Sequence, residues 1–174
     1  MREDIPSLAH ALVSAKKKGI VLLASASNEG ANYPITFPAR LKNVVFCIGA
    51  ADGKGNSSAF NPPLLGEEKY SALGEAVTGA SLDQGYVRKD GTSTATPVAA
   101  GIVAILIDFS RQFMDLETAE IYEFLRKLFI KMSEGTVEQT YRYLAPWYLF
   151  GAGKDTKEII RTTCAKPAGT PPRT

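Results

Sequence analysis

Two periods of apolar spacing run along the chain, and they set the list of elements. In residues 7–18, Leu8, Ala11, Leu12 and Ala15 recur at helical spacing, which predicts an amphipathic helix stopped by Gly19. Ile20-Val21-Leu22-Leu23-Ala24 is apolar throughout, the pattern of a strand buried on both faces of a parallel sheet. It gives way to a polar loop, Ser25-Ala26-Ser27-Asn28-Glu29-Gly30. A second buried strand is predicted over 44–48, closing in Gly49-Ala50, and Asp52-Gly53-Lys54-Gly55-Asn56 reads as a turn. Residues 57–74, with Pro62, Pro63 and Gly66, predict irregular backbone, and short strands are expected near Ala76-Val77 and Tyr86-Val87.

The second half of the chain is mostly helical in period. Gly91-Thr92-Ser93 opens a long apolar helix reaching about Ser110, with Pro97 in its first turn, where a missing N–H costs little. Another helix is predicted from about Glu117 to Met132, with Ile121, Phe124, Leu125, Leu128 and Met132 on its inner face. Tyr143 to Phe150 is rich in aromatic residues around Trp147, and from Ala165 the Pro/Gly/Thr-rich end predicts disorder. Helix, strand, loop and strand in that order, with apolar strands, argue for an α/β sheet. The longest apolar run, 98–107, falls short of the ~20 residues of a membrane helix, so no membrane contact is expected.

Composition narrows the chemistry. With 174 residues, 45% of them hydrophobic, the chain suits one compact unit with a real core. A formal net charge of +2 gives no electrostatic case for nucleic acid, and Lys16, Lys17 and Lys18 read as the solvated end of a helix. Cys47, Cys164 and His10 are the only cysteines and histidine. They form neither a C-x-x-C pair nor a Cys/His cluster, so no metal site is expected. No phosphate-cradling glycine motif occurs, so no cofactor is expected either. The start, Met1-Arg2-Glu3-Asp4, has no apolar stretch behind it, so no signal peptide is read there and the reading leans toward the cytoplasm.

The segment that carries chemistry is Gly91-Thr92-Ser93-Thr94-Ala95-Thr96-Pro97-Val98-Ala99-Ala100-Gly101. It sets a serine at the start of an apolar helix, where backbone N–H groups lack intrahelical partners and the helix dipole favours negative charge. The plain alternative is a capping serine, the ordinary role of Ser before a helix. For Asn28 the plain alternative is a turn residue.

The eleven residues 91–101 resemble the serine-helix signature of the subtilisin-like peptidases, the subtilases. Upstream, Ala24-Ser25-Ala26-Ser27-Asn28-Glu29-Gly30 with Tyr33-Pro34 resembles the loop that supplies that family's oxyanion asparagine. Between them, Leu41 to Ala50 followed by Asn56-Ser57-Ser58-Ala59-Phe60 resembles the strand and Ser-rich loop after that asparagine. The resemblance covers roughly residues 5 to 110. It implies a subtilisin-like three-layer α/β fold with a mostly parallel sheet, present here as its C-terminal part. It also implies hydrolysis of a polypeptide substrate through an acyl-enzyme on Ser93, with Asn28 donating to the tetrahedral intermediate.

Two departures stand out: Ser27 replaces the family's usual glycine, and Val98 stands where a histidine is common. In the family that position lines the pocket for the residue before the scissile bond, so the resemblance implies a pocket narrowed by the hydroxymethyl group of Ser27. The larger departure is that the family's Asp and His motifs do not occur in these residues. His10, the one histidine, is expected on the solvent side of its helix, and Asp83, Asp90 and Asp108 lack the family's aspartate context. Loss of the histidine alone costs about 10⁶-fold in turnover in this kind of enzyme. The chain by itself is therefore expected to be inactive, and the missing N-terminal half of the domain, carrying Asp and His, is its implied partner. A non-catalytic binding or scaffold module is the alternative. The division expected is 1–112 for the partial peptidase domain, 113–164 for a helical and aromatic extension, and 165–174 for a tail.

Overall fold

A computed structural model describes residues 5–63, 69–82, 85–134 and 141–165. Its centre is a parallel four-stranded sheet in the order β1 (Leu23–Ser25), β2 (Phe46–Ala51), β3 (Lys69–Leu73), β6 (Arg142–Tyr143). Ala24 lies opposite Cys47, Cys47 opposite Lys69, and Ser71 opposite Tyr143. A separate antiparallel hairpin pairs β4 (Val77–Ala80) with β5 (Tyr86–Lys89).

Side chains alternate across a strand, and here both faces of β2 are buried. Phe46, Ile48 and Ala50, with Tyr70 and Ala72 from β3, join the main core. Against them pack α2 (Thr92–Arg111) and α3 (Ile121–Ser133). On α2 the buried residues are Thr92, Ala95, Ala99, Val103, Leu106 and Ser110, a helical stripe running along β1, β2 and β3. On α3 all five expected inner residues are buried, joined by Phe129 and Ser133. Cys47 belongs to a second cluster with Ala26, Ile35, Ala39 and Tyr141.

Several boundaries differ from the sequence expectation, each for a physical reason. The first helix, α1 (Pro6–Lys17), does stop at Gly19, whose φ of 77° suits the left-handed cap. The Gly19 and Ile20 N–H groups donate to Lys16 O (2.8 Å) and Ala15 O (3.1 Å), closing the helix. Its face is not the expected one: Leu8 and Ala11 are exposed, and no residue of α1 is fully buried. The run 20–24, expected to be buried on both faces, yields only the short β1, half-buried at the sheet edge, with Ile20 53% exposed. Strand β2 starts later than expected and continues through Gly49 to Ala51. The segment expected to be irregular contains β3, a central strand; Gly66 lies outside the described residues, as do Asp83 and 166–174.

The turn at Asp52 forms as expected. Its carboxylate accepts the Lys54 and Asn56 N–H groups (2.8 Å each), and the Asn56 bonds hold it below its usual pKa. Pro97 is the sixth residue of α2, not part of its first turn, so the carbonyl of Ser93 loses its i+4 donor. The apolar run 98–107 is thus the middle of a 20-residue helix. By length and mean hydropathy (1.5), α2 is the one helix among the described residues that could cross a membrane; here it lies along the sheet. Beyond residue 112, α3 enters the main core and β6 extends the sheet. Two helices follow: α4 (Trp147–Phe150) and α5 (Thr156–Cys164), the latter capped by Asp155, which accepts the Glu158 N–H (3.0 Å).

Candidate active site

Ligand sites of α/β sheets gather beyond the carboxyl ends of the strands, and three segments meet there. β1 runs on into Ala26, whose N–H donates to Ile48 O (2.9 Å), and then into Ser27 and Asn28. β3 runs into Gly74, whose N–H donates to Ala51 O (2.9 Å) and whose carbonyl accepts the Gly91 N–H (2.8 Å). Gly91 is the N-cap of α2 and has φ 149°, a conformation open to glycine.

These contacts bring together Asn28 and Ser93, 65 positions apart. A Cβ built on Gly91 would lie 3.2 Å from Asn28 Nδ2 and 3.2 Å from Ser93 Oγ. The two atoms are therefore no more than twice that distance apart, on one side of the sheet, with the bare glycine between them. Any side chain at 91 would enter this space.

Thr92 orients the asparagine. Its backbone N–H (2.8 Å) and its hydroxyl (3.0 Å) both donate to Asn28 Oδ1, while the hydroxyl accepts the Ser27 N–H at 3.4 Å. With Oδ1 occupied by two donors, the amide presents Nδ2 toward the gap beside Ser93. Thr92 is 1% exposed, so this arrangement is locked by packing. Sequence reading missed it, although the threonine inside Gly-Thr-Ser was visible.

Ser93 is the second residue of α2 and is exposed. The cap position belongs to Gly91, so the capping role does not apply to Ser93. The hydroxyl and the backbone N–H of Ser93 make no hydrogen bond to the described residues. A free N–H at a helix start beside an oriented amide can receive a developing oxyanion. Nearby, Asp90 accepts the Ala76 N–H (2.6 Å) and Glu75 accepts the Ser58 hydroxyl (2.5 Å), so each carboxylate holds loop structure. His10 is exposed on α1. Among the described residues no cluster of His, Cys, Asp and Glu is arranged to hold a metal.

Ser93 also lines a cavity of about 720 Å³ between the β4–β5 hairpin and the first turns of α2. Leu82, Val87 and Lys89 line it from the hairpin, and Thr94, Pro97 and Val98 from the helix. Ser27 has φ 130°, rare for a residue with a side chain.

The sequence matches the profile described as the subtilase family over residues 1–153, well beyond the expected limit near 110. It is 31% identical over 142 residues to the minor extracellular protease Epr of Bacillus subtilis (strain 168), covering 80% of this chain and 21% of that protein. It is 28% identical over 114 residues to the subtilisin-like protease het-Q2 of Podospora anserina, covering 63% of this chain and 31% of that one. Among solved structures, the self-cleaved protease domain of PatA superposes with a TM-score of 0.71 at 24% identity, covering 92% of this chain and 57% of that domain. The chain thus spans about a fifth to a third of the curated relatives named. The chain belongs to the subtilase family of serine peptidases, with the corresponding α/β fold.

Proposed function

We propose that Ser93 is the nucleophile and Asn28 an oxyanion donor of a peptide-hydrolysing site, completed by a histidine and an aspartate outside these 174 residues. The observation that supports this best is the convergence of Asn28 Nδ2 and Ser93 Oγ on the space over Gly91. In this reading the serine oxygen attacks the scissile carbonyl carbon, and a base takes its proton. The carbonyl oxygen, now negative, is held by the Asn28 amide and the Ser93 N–H, and the amine departs to leave an acyl-enzyme that water hydrolyses. Thr92 acts as a positioning residue through Asn28. Polypeptide is the substrate class.

No histidine lines the cavity at Ser93 among the described residues, and His10 is the chain's single histidine. The chain alone is therefore proposed to be inactive. Co-production with a segment carrying the family's Asp and His motifs should create peptide-ester hydrolysis that Ser93→Ala abolishes. Asn28→Ala should lower its kcat by about 10²–10³-fold. Hydrolysis that persists in Ser93→Ala would reject the assignment. The second reading, a non-catalytic binding module, is favoured by the exposed position of His10. It predicts no labelling of Ser93 by a fluorophosphonate even with the added segment.

A further inference from the structure

We propose that the segment Thr170-Pro171-Pro172-Arg173 folds back along α5 and docks on the exposed ring of Trp147. Trp147 opens α4, is the chain's one tryptophan and is 53% exposed. Its ring neighbours those of Tyr143 (centroids 5.9 Å apart) and Tyr148 (6.3 Å). Both neighbours are braced. A Cβ at Gly55 would lie 2.9 Å from the Tyr143 ring, so the glycine lets that ring rest against the turn after β2. The Lys154 ammonium lies 5.2 Å from the centre of the Tyr148 ring and donates to the Tyr148 carbonyl (2.7 Å). The result is a fixed aromatic surface with Trp147 open on it. It follows β6, at the opposite edge of the sheet from β1, so a segment pairing with β1 does not cover it.

Proline suits such a surface. Its ring is an apolar face on backbone already held near the polyproline II form, so docking on aromatic side chains orders little that was free. Three of the nine residues after Ala165 are proline, and Pro171-Pro172 is followed by Arg173. Burial, and then the nearby Asp52 carboxylate, raise the pKa of Tyr143, which sets a negative charge beside the aromatic surface. Arg173 is its complement. The reach also fits. The Thr156 hydroxyl, at the start of α5, donates to Leu149 O in α4 (2.7 Å), so α5 begins against α4. Its 9 residues lead away by about 13 Å. Residues 166–171 span about 19 Å in polyproline II form, enough to return to α4. Tethering gives the segment an effective concentration in the mM range, so docking with a Kd of about 0.1 mM leaves most chains docked.

Trp147 reports on this directly. Acrylamide quenching of its emission in the full chain would be compared with Pro171→Ser/Pro172→Ser and with Arg173→Glu. The quenching constant should rise about twofold in the double proline variant, with a red shift of the emission, and by less in Arg173→Glu. A synthetic peptide of residues 166–174 at several mM should return the double variant to the protected value, and the same peptide with serine for each proline should not. Protection should survive about a hundredfold dilution of the protein. Protection lost on dilution would assign the docked segment to a second copy and overturn the intramolecular docking. Equal quenching in the full chain and the double proline variant would overturn the proposal outright.

Discussion

Ser27 holds backbone strain at the edge of the site. With φ 130° and its N–H directed at the Thr92 hydroxyl, it takes a conformation that glycine adopts freely. Ser27→Gly removes that strain but loosens the unfolded chain, and the first term should win. The expected gain is about 0.5–1 kcal/mol, or a melting rise of about 1–4 °C. A lower melting temperature would mean that the Ser27 side chain contributes more than the strain costs. Cys47 offers a residue-scale test by pH. Burial in β2 pushes its thiol up to about 12, partly opposed by the Lys69 ammonium. The native protein should therefore resist iodoacetamide at pH 8–10 and react once unfolded in urea. Because the folded state holds this proton more tightly, the associated stability is complete below the ordinary thiol value of 9.0 and is lost as pH rises toward about 12. Burial lowers the pKa of Lys69, which acts in the opposite sense, so the comparison must be with Cys47→Ala: its stability should fall less steeply across that window.

Among the elements, α2 both carries Ser93 and anchors the core, and neighbouring positions on it separate these surfaces. Leu106 is fully buried against the sheet while Ile105 is 59% exposed. Leu106→Ala should cost about 2–5 kcal/mol in urea unfolding, and Ile105→Ala less than about 0.5. Comparable losses at both positions would contradict the observed face. What the sequence made legible follows the same logic. α2 and α3 could be read because each has one strongly apolar stripe. β3 could not, since Lys69 and Ser71 are polar yet buried and interrupt the apolar pattern. α5 hides because Ile160 is its only buried residue. The run 20–24 misled because apolar composition does not distinguish an interior strand from an edge. At the site, the serine was legible from its motif. Its meeting with Asn28 depends on Gly74 receiving Gly91, a long-range contact that no local pattern encodes. The Thr92 bonds to Asn28 belong to the same class.

On the scale of the whole molecule, two surfaces look unfinished, and the proposed function gives them one cause. β1 pairs only with β2 among the described strands, so its other edge offers free backbone groups, with Ile20 exposed just before it. On α2, the face turned from the sheet exposes Pro97, Ala100, Gly101, Ala104 and Ile105. Small residues there allow a neighbour to approach closely, and an exposed apolar helix face beside a free strand edge is an association hazard. If the site is completed by a further part of the domain, that part should cover both surfaces while delivering the base to Ser93. The chain alone should then self-associate in size-exclusion chromatography. Ile20→Lys with Ile105→Lys should shift it toward monomer, because a charge opposes both strand pairing and burial of the helix face. Co-production with a segment carrying the Asp and His motifs should restore solubility and Ser93-dependent hydrolysis together in the unmutated chain. In the doubly substituted chain, already shifted toward monomer, the same segment should restore no hydrolysis, since the lysines occupy the surface it must cover. A chain that is monomeric by itself with a cooperative melt would remove this common cause and favour the autonomous, non-catalytic module.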